Sequence, residues 1–286
     1  MRRTLLIAAA ALTAIAACGD DTPTAQSTAT QPASSGPSES SAPSAPSESS
    51  ESSESSAAAP AAALINPGDD GNYQVTIDPA EFTSVVDNPF LPKLPGTVWE
   101  YQEFTSEGGF ERIRIEVLDE TKVVMGVEAI VVHDVVTTHD GELVEDTYDW
   151  FAQDSAGNVW YMGEDTTSYH DGVSSTEGAW EAGVDGALPG IVMPADPVVS
   201  AIGYRQEFKA GEAEDMGQVI ALGGSFTVPT GTYDDIVRTR DWTPLEADVV
   251  EMKAYARGVG FIHEGKVDGD GEATIVVMTS FTPGPG

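Results

Sequence analysis

From Tyr73 onward the apolar and polar positions fall into short runs, many with a period of two. Val98-Trp99-Glu100-Tyr101, Arg112-Ile113-Arg114-Ile115-Glu116-Val117, Leu143-Val144-Glu145-Asp146-Thr147-Tyr148-Asp149-Trp150 and Ile236-Val237-Arg238-Thr239-Arg240 are examples. Alternation of this kind marks strands with one buried face. Between the runs stand turn signals: Asp140-Gly141, Asp154-Ser155-Ala156-Gly157, Asp171-Gly172 and Gly269-Asp270-Gly271. Strands spaced by about 8–12 residues with Gly/Asp turns predict an antiparallel meander. No long helical period interrupts them, and Trp and Tyr recur within the runs. The pattern predicts an all-β domain over residues 66–286, its meander forming a barrel, half-barrel or curved sheet.

One hairpin can be read in detail. Asp154 and Gly157 at the first and fourth turn positions favour a type I turn, which sets Asp154 opposite Asn158. Continued without interruption, that register sets Trp150 against Met162 and Tyr148 against Glu164. Tyr148, Trp150, Trp160 and Met162 then share the core face. Glu145, Asp149 and Asp165 share the other face around Thr147, with diagonal neighbours about 7–8 Å apart. Three carboxylates so placed repel one another, and a divalent cation would relieve this. Calcium takes several oxygen ligands at about 2.3–2.6 Å, which a flat strand face supplies poorly. The face is therefore either a solvated acidic surface or a weak calcium site. The stretch Asp268-Gly269-Asp270-Gly271-Glu272 is only a fragment of a calcium loop and reads as a hairpin tip.

The alternation is missing upstream. Residues 20–64 are almost entirely Ser, Thr, Ala, Pro and acid, without an aromatic residue. Such a segment cannot bury enough apolar surface to offset its ordering entropy, so residues 18–65 are expected to be a disordered tether. As a flexible coil it would average roughly 35–40 Å end to end. Before it lie Met1-Arg2-Arg3, an apolar run from Leu5 to Ala17, and Cys18. A basic start followed by a short apolar run is an export signal over residues 1–17, too short to span a bilayer comfortably at about 20 residues. Ile15-Ala16-Ala17-Cys18 resembles the bacterial lipobox. The resemblance implies diacylglycerol on the Cys18 thiol, cleavage before Cys18, and a lipid-anchored domain on the extracytoplasmic face of the cell membrane. Arg2-Arg3 leaves both general and twin-arginine export open.

Charge narrows the partners. The 286 residues carry 47 acidic and 13 basic side chains, a net charge of −34. Between Lys122 and Arg205 there are fifteen Asp or Glu and no Lys or Arg. Such a chain repels phosphate backbones, which excludes nucleic acid, and resists adsorption to anionic lipid. Cations and basic proteins are the partners its field favours, although an acidic face also simply keeps an exported protein soluble. Cys18 is the only cysteine, so the domain folds without disulfides. A monomer is expected.

A second resemblance brackets the domain. Asn88-Pro89-Phe90-Leu91-Pro92-Lys93-Leu94-Pro95-Gly96-Thr97-Val98-Trp99-Glu100-Tyr101 resembles the opening motif of a broad group of uncharacterised secreted bacterial β-domains. Tyr255-Ala256-Arg257-Gly258-Val259-Gly260-Phe261-Ile262 resembles their closing motif, with Arg257 where proline is usual. Some members are similar to lipoprotein-carrier half-barrels. The resemblance implies fold and export and assigns no catalytic residue.

Catalytic chemistry finds little footing. There is no Gly-x-Ser-x-Gly elbow and no cysteine beyond the leader to serve as nucleophile. His133, His139 and His170 each precede an aspartate, and two of the pairs run straight into a turn glycine, where turn chemistry explains them. No paired histidine spacing points to zinc. Glu212-Ala213-Glu214-Asp215-Met216 is either a solvated connection or a loop that meets a cation. The chain is thus expected to be non-enzymatic and to bind or carry an apolar or amphiphilic ligand, such as a lipid, at the cell envelope. An acidic module for divalent cations or basic partners is the second reading. A cell-wall hydrolase, needing two carboxylates about 5–10 Å apart across a cleft, is the third.

Overall fold

A computed structural model describes residues 72–105, 108–267 and 273–285. Cys18, the Ser/Thr/Pro-rich segment and the 268–272 hairpin tip lie outside these residues. Among the described residues, a 3-10 turn at Pro79–Glu81 is followed by eighteen strands. The first six are β1 (Phe82–Thr83), β2 (Val98–Thr105), β3 (Phe110–Val124), β4 (Val127–Thr138), β5 (Leu143–Asp154) and β6 (Val159–His170). Next come β7 (Val173–Ser175), β8 (Trp180–Glu181), β9 (Leu188–Met193), β10 (Tyr204–Arg205), β11 (Glu207–Phe208) and β12 (Met216–Leu222). The last are β13 (Ser225–Val228), β14 (Gly231–Asp234), β15 (Ile236–Trp242), β16 (Val250–Ala256), β17 (Gly260–Val267) and β18 (Ala273–Thr282).

All pairings are antiparallel, and sixteen strands form one sheet in the order β10-β12-β15-β16-β17-β18-β2-β3-β4-β5-β6-β9-β11, with β1, β7 and β8 beside it. Its two ends meet. β10 and β11 are halves of one extended stretch, Tyr204–Phe208, broken at Gln206. The first half pairs with β12 and the second with β9. The Gln206 N–H still donates to the Asp215 carbonyl at 2.8 Å. The result is the all-β meander that alternation predicted, in a nearly closed barrel. Closure demands a glycine at position 190, because a Cβ there would stand 2.5 Å from the Arg205 carbonyl oxygen.

The two motifs that bracket the domain meet in space. The Trp99 indole N–H donates to the Val259 carbonyl at 2.8 Å, and the Tyr101 hydroxyl to the Phe261 carbonyl at 3.0 Å. The Gly258 N–H donates to the Pro89 carbonyl at 2.7 Å. Asn88 organises the start of the opening motif. Its side-chain oxygen accepts from the Phe90 and Leu91 N–H groups, and its amide donates to the carbonyls of Gly157 and Pro194. Arg257, in the place of the usual proline, lies over the Phe90 ring and pairs with Asp235. Through these contacts the two motifs join the start of the barrel to its closing strands.

The β5–β6 hairpin departs from the uninterrupted register. Its turn is as expected: the Asp154 N–H donates to the Asn158 carbonyl at 3.0 Å, and Asp154 also accepts from the Asn158 and Ala156 N–H groups. Phe151 opposes Tyr161, but the register then shifts, and Trp150 opposes Gly163 rather than Met162. Tyr148 consequently opposes Asp165, not Glu164. Met162 is the extra residue of a β-bulge, and Gly163 takes the positive φ of 130° that it requires. The inserted residue exchanges the faces of β6 beyond it, so Glu164 and not Asp165 joins Asp149. Tyr148, expected in the core, is exposed, whereas Glu145, Thr147 and Asp149 are buried, because they share their face of β5 with the fully buried Phe151.

Candidate functional site

The inward faces of the strands carry an unexpected chemistry. Among the described residues eleven acidic side chains are buried, against three basic ones, Lys93, Arg205 and Lys253. Burial of a carboxylate away from water is costly unless it is paired, hydrogen-bonded or protonated. Asp154 is satisfied by the β5–β6 turn, and eight of the others fall into three groups by the way they are accommodated.

The first is organised by Lys93, from the opening motif. Its ammonium lies 5.0 Å from the ring centroids of both Trp99 and Phe151, and it acts electrostatically on Asp149 and Asp134. Burial lowers the Lys93 pKa to about 8 despite these acids. Asp134 lies well above the usual carboxylate range, chiefly through desolvation and then through Asp149 and Glu145.

The second is organised by Lys253 on β16. Its ammonium lies 2.9 Å from Glu251, 3.2 Å from Asp241 and 3.7 Å from Glu264. All four side chains are at most 7 % exposed. The three carboxylates hold the ammonium charged, well above the ordinary lysine range in spite of desolvation. Burial raises Asp241 and Glu264 at the same time.

The third lies on β5, β6, β8 and β11. Asp149 accepts a hydrogen bond from the Tyr161 hydroxyl at 2.7 Å and opposes Glu164 across the strands. Glu164 in turn opposes Trp180, whose ring meets Tyr161 edge-on at 5.3 Å. Glu207 on β11, 1 % exposed, acts on both Tyr161 and Glu164. The Trp180 indole N–H is directed at Glu207 without a well-formed hydrogen bond to either of its oxygens, and one oxygen of Glu164 has no partner. The indole is near enough to lower the Glu207 carboxyl, but desolvation and Asp215 outweigh it and the net displacement is upward. The charges acting on Glu164 are those of Asp149, Glu207, Glu145 and Asp215, all of one sign, and they add to desolvation. Burial raises Asp149 to about 6, with Tyr161, Lys93 and His133 opposing.

A polar file leads toward this third group from the strand ends. Half-buried Ser168 opposes Glu145, Thr166 opposes Thr147, and Glu164 opposes Asp149. The Thr147 hydroxyl donates to Glu145 at 2.8 Å and shares a hydrogen bond of 2.6 Å with Thr166.

The acidic trio expected from sequence is therefore split. Glu145 and Asp149 are buried with Glu164, while Asp165 is exposed on the opposite face across from Tyr148. Among the described residues, no three His, Cys, Asp or Glu side chains are arranged to hold a metal ion. The 212–216 run is also divided. Glu212 pairs with Lys209, Glu214 accepts from the Gly211 N–H at 2.8 Å, and the Asp215 carboxyl interacts with the interior acids and Thr243. His139-Asp140 and His170-Asp171 fall at turns, with positive φ at Gly141, Asp171 and Gly172, whereas His133-Asp134 lies within β4. His133 faces away from Asp134, bonds Asp146 at 2.6 Å and stacks on Tyr148 at 4.4 Å.

Sequence reasoning missed Lys93, Glu164, Trp180, Glu207 and Lys253. Lys93 stands inside the opening motif, and a charged residue within an otherwise apolar, proline-bound segment is the signal that could have marked it.

No protein-family profile matches the chain, and no curated protein matches it. Among solved structures, the chain is similar to a putative lipoprotein from Parabacteroides distasonis at 14 % identity and TM-score 0.38, over 68 % of this chain and 100 % of that one. It is also similar to a putative exported protein with a YmcC-like fold from Bacteroides fragilis, at 13 % identity and TM-score 0.38, over 68 % of this chain and 99 % of that one. Among the described residues, no helix is long and apolar enough to cross a membrane.

Proposed function

We propose that this chain is a lipid-anchored, non-enzymatic binding module of the cell envelope whose barrel interior takes up a cationic ligand. The leader and Cys18 supply the address. The observation that carries the ligand class is the excess of buried acids over buried bases, eleven to three among the described residues, with carboxylate oxygens of Glu164 and Glu207 lacking well-formed hydrogen bonds. A cation entering such an interior meets attraction strengthened by low local polarity. The same excess weighs against an apolar ligand, which would leave those oxygens buried and unsatisfied.

The test is calorimetry on the full chain carrying Cys18→Ser, titrated with calcium chloride and separately with butane-1,4-diamine at pH 7.5. The expected result is saturable binding of at least one cation, weakened by added salt and by acidification to pH 5. No binding of either, together with lipid co-purifying in native mass spectrometry, would replace this reading with that of an amphiphile carrier.

A further inference from the structure

Two of the three acid groups in the interior contain an ammonium of the protein's own. Lys253 stands among Asp241, Glu251 and Glu264 at 2.9–3.7 Å. Lys93 combines the carboxylates Asp134 and Asp149 with two aromatic rings at 5.0 Å. The second arrangement shows what the interior does with an organic cation: carboxylates neutralise its charge while ring faces attract it and cover its carbon stem.

The third group repeats these elements. Asp149, Glu164 and Glu207 supply the carboxylates, and Trp180 and Tyr161 supply rings set edge-on at 5.3 Å. Glu207 is 1 % exposed and Glu164 3 % exposed, yet three of their four oxygens lack a well-formed hydrogen bond, the Trp180 indole making only a weak approach to Glu207. Unpaired buried acceptors of this kind cost free energy in a folded chain, and an N–H donor from a ligand would relieve it. Ser168, Thr166 and Thr147 set a row of hydroxyls across β5 and β6 leading to Asp149 and Glu164.

We infer that Glu207, Glu164 and Asp149, with the rings of Trp180 and Tyr161, form a subsite for an organic ammonium group, such as the head of a primary amine or diamine. Resting on the proposed uptake of cations by the barrel, this assignment names their chemical class and the place where they bind. An organic ammonium fits better than a bare metal ion because two of the five side chains are aromatic and offer no oxygen cage. The ammonium donates to the free oxygens of Glu207 and Glu164, and its alkyl portion lies against the indole.

The experiment uses the full chain carrying Cys18→Ser and butane-1,4-diamine as probe, followed by calorimetry and by tryptophan fluorescence. Wild-type sequence at the subsite should bind the diamine and change the indole emission. Glu207→Gln and Glu164→Gln should each weaken binding by about tenfold or more, as loss of a charge-assisted contact does. Trp180→Leu should weaken binding and abolish most of the emission change. Asp165→Asn, on the outer face, should leave affinity within about twofold. Circular dichroism confirms that each variant is folded, and the two Gln variants serve as substitutes for one another if one fails to fold. Diamine binding unaffected by both Gln substitutions overturns the subsite and leaves the cation reading standing. Calcium binding without diamine binding overturns the ammonium class alone. Failure of both probes to bind overturns the two proposals together.

Discussion

The Trp99 indole N–H and the Val259 carbonyl oxygen, 160 positions apart in sequence, are joined by a buried hydrogen bond of 2.8 Å. Through this bond the strand that opens the barrel meets the turn before its penultimate strand. Trp99→Phe keeps a ring in place but leaves the Val259 carbonyl without that donor. A destabilisation of about 1–3 kcal/mol is expected, read as a lower urea midpoint with an unchanged slope. An unchanged midpoint would show that the bond contributes nothing net.

The interior acids predict an inverted pH response. Asp149, raised to about 6 when folded, and Asp134, Glu164, Glu207 and Glu264, all raised, bind protons more readily folded than unfolded. Stability from a raised group is fully present below its unfolded pKa and is lost as pH rises through its folded pKa. The domain should therefore melt at a higher temperature at pH 5 than at pH 7.5. Lys93, lowered to about 8, acts with the opposite sign and only between that value and the ordinary lysine range. Thermal melts across pH 4.5–8 check this, and a melting temperature that falls steadily on acidification from pH 7.5 to 5 would contradict it.

Removing the Lys253 ammonium should expose the repulsion that it now balances. Lys253→Met leaves Asp241, Glu251 and Glu264 buried together, and breaking a buried ion pair costs about 3–5 kcal/mol. The loss should be smaller at pH 5, where the raised carboxyls of Asp241 and Glu264 take up protons. Denaturant curves at pH 5 and 7.5 read the difference, and an equal loss at both would assign the lysine a packing role alone.

Gly163→Ala should be far worse than Gly141→Ala, although both glycines have positive φ. A Cβ at Gly163 would stand 2.9 Å from the Glu181 Cα and 3.1 Å from the Trp150 ring, while nothing lies within 4 Å of one at Gly141. The exposed turn should lose about 1–2 kcal/mol and the bulge more than that. Comparable denaturation midpoints for the two variants would contradict this account of the bulge.

Cys18→Ser should release the chain from the membrane fraction and abolish incorporation of labelled fatty acid. Retention of label in the variant would sink the lipid assignment.

The meander was legible in the chain because alternation, Asp-Gly turns and the absence of a helical period all point one way. The turn at Asp154–Gly157 was legible for the same local reason. The side of the sheet on which Glu145 and Asp149 fall was not. Alternation pairs them with Phe151 and sets them against Tyr148 and Trp150, and an aromatic residue on each face leaves the inner one undecided. Which acid of β6 joins them depends on one inserted residue, Met162, whose only local mark is the glycine after it. Aromatic side chains misled as well. Trp150 is buried against the Lys122 ammonium, 3.3 Å from its ring, and Trp160 packs edge-on against Phe82, so neither residue identifies the barrel interior. Nor does alternation reveal that Glu164, Glu207 and Lys253, far apart in sequence, face a common space. That follows from closure of the sheet, a long-range event with no local signal.

The stretch Tyr204–Phe208 gives the barrel a seam. Every other wall strand is laced to its neighbours over several rungs, but here two residues on each side do the fastening. Such a join is the natural place for the wall to fray first and to zip last when the chain folds. Glu207 sits in that seam, so the ligand group proposed for it would act as a clasp. Its arrival should slow amide exchange at Glu207 and Phe208 more than anywhere in the long hairpins.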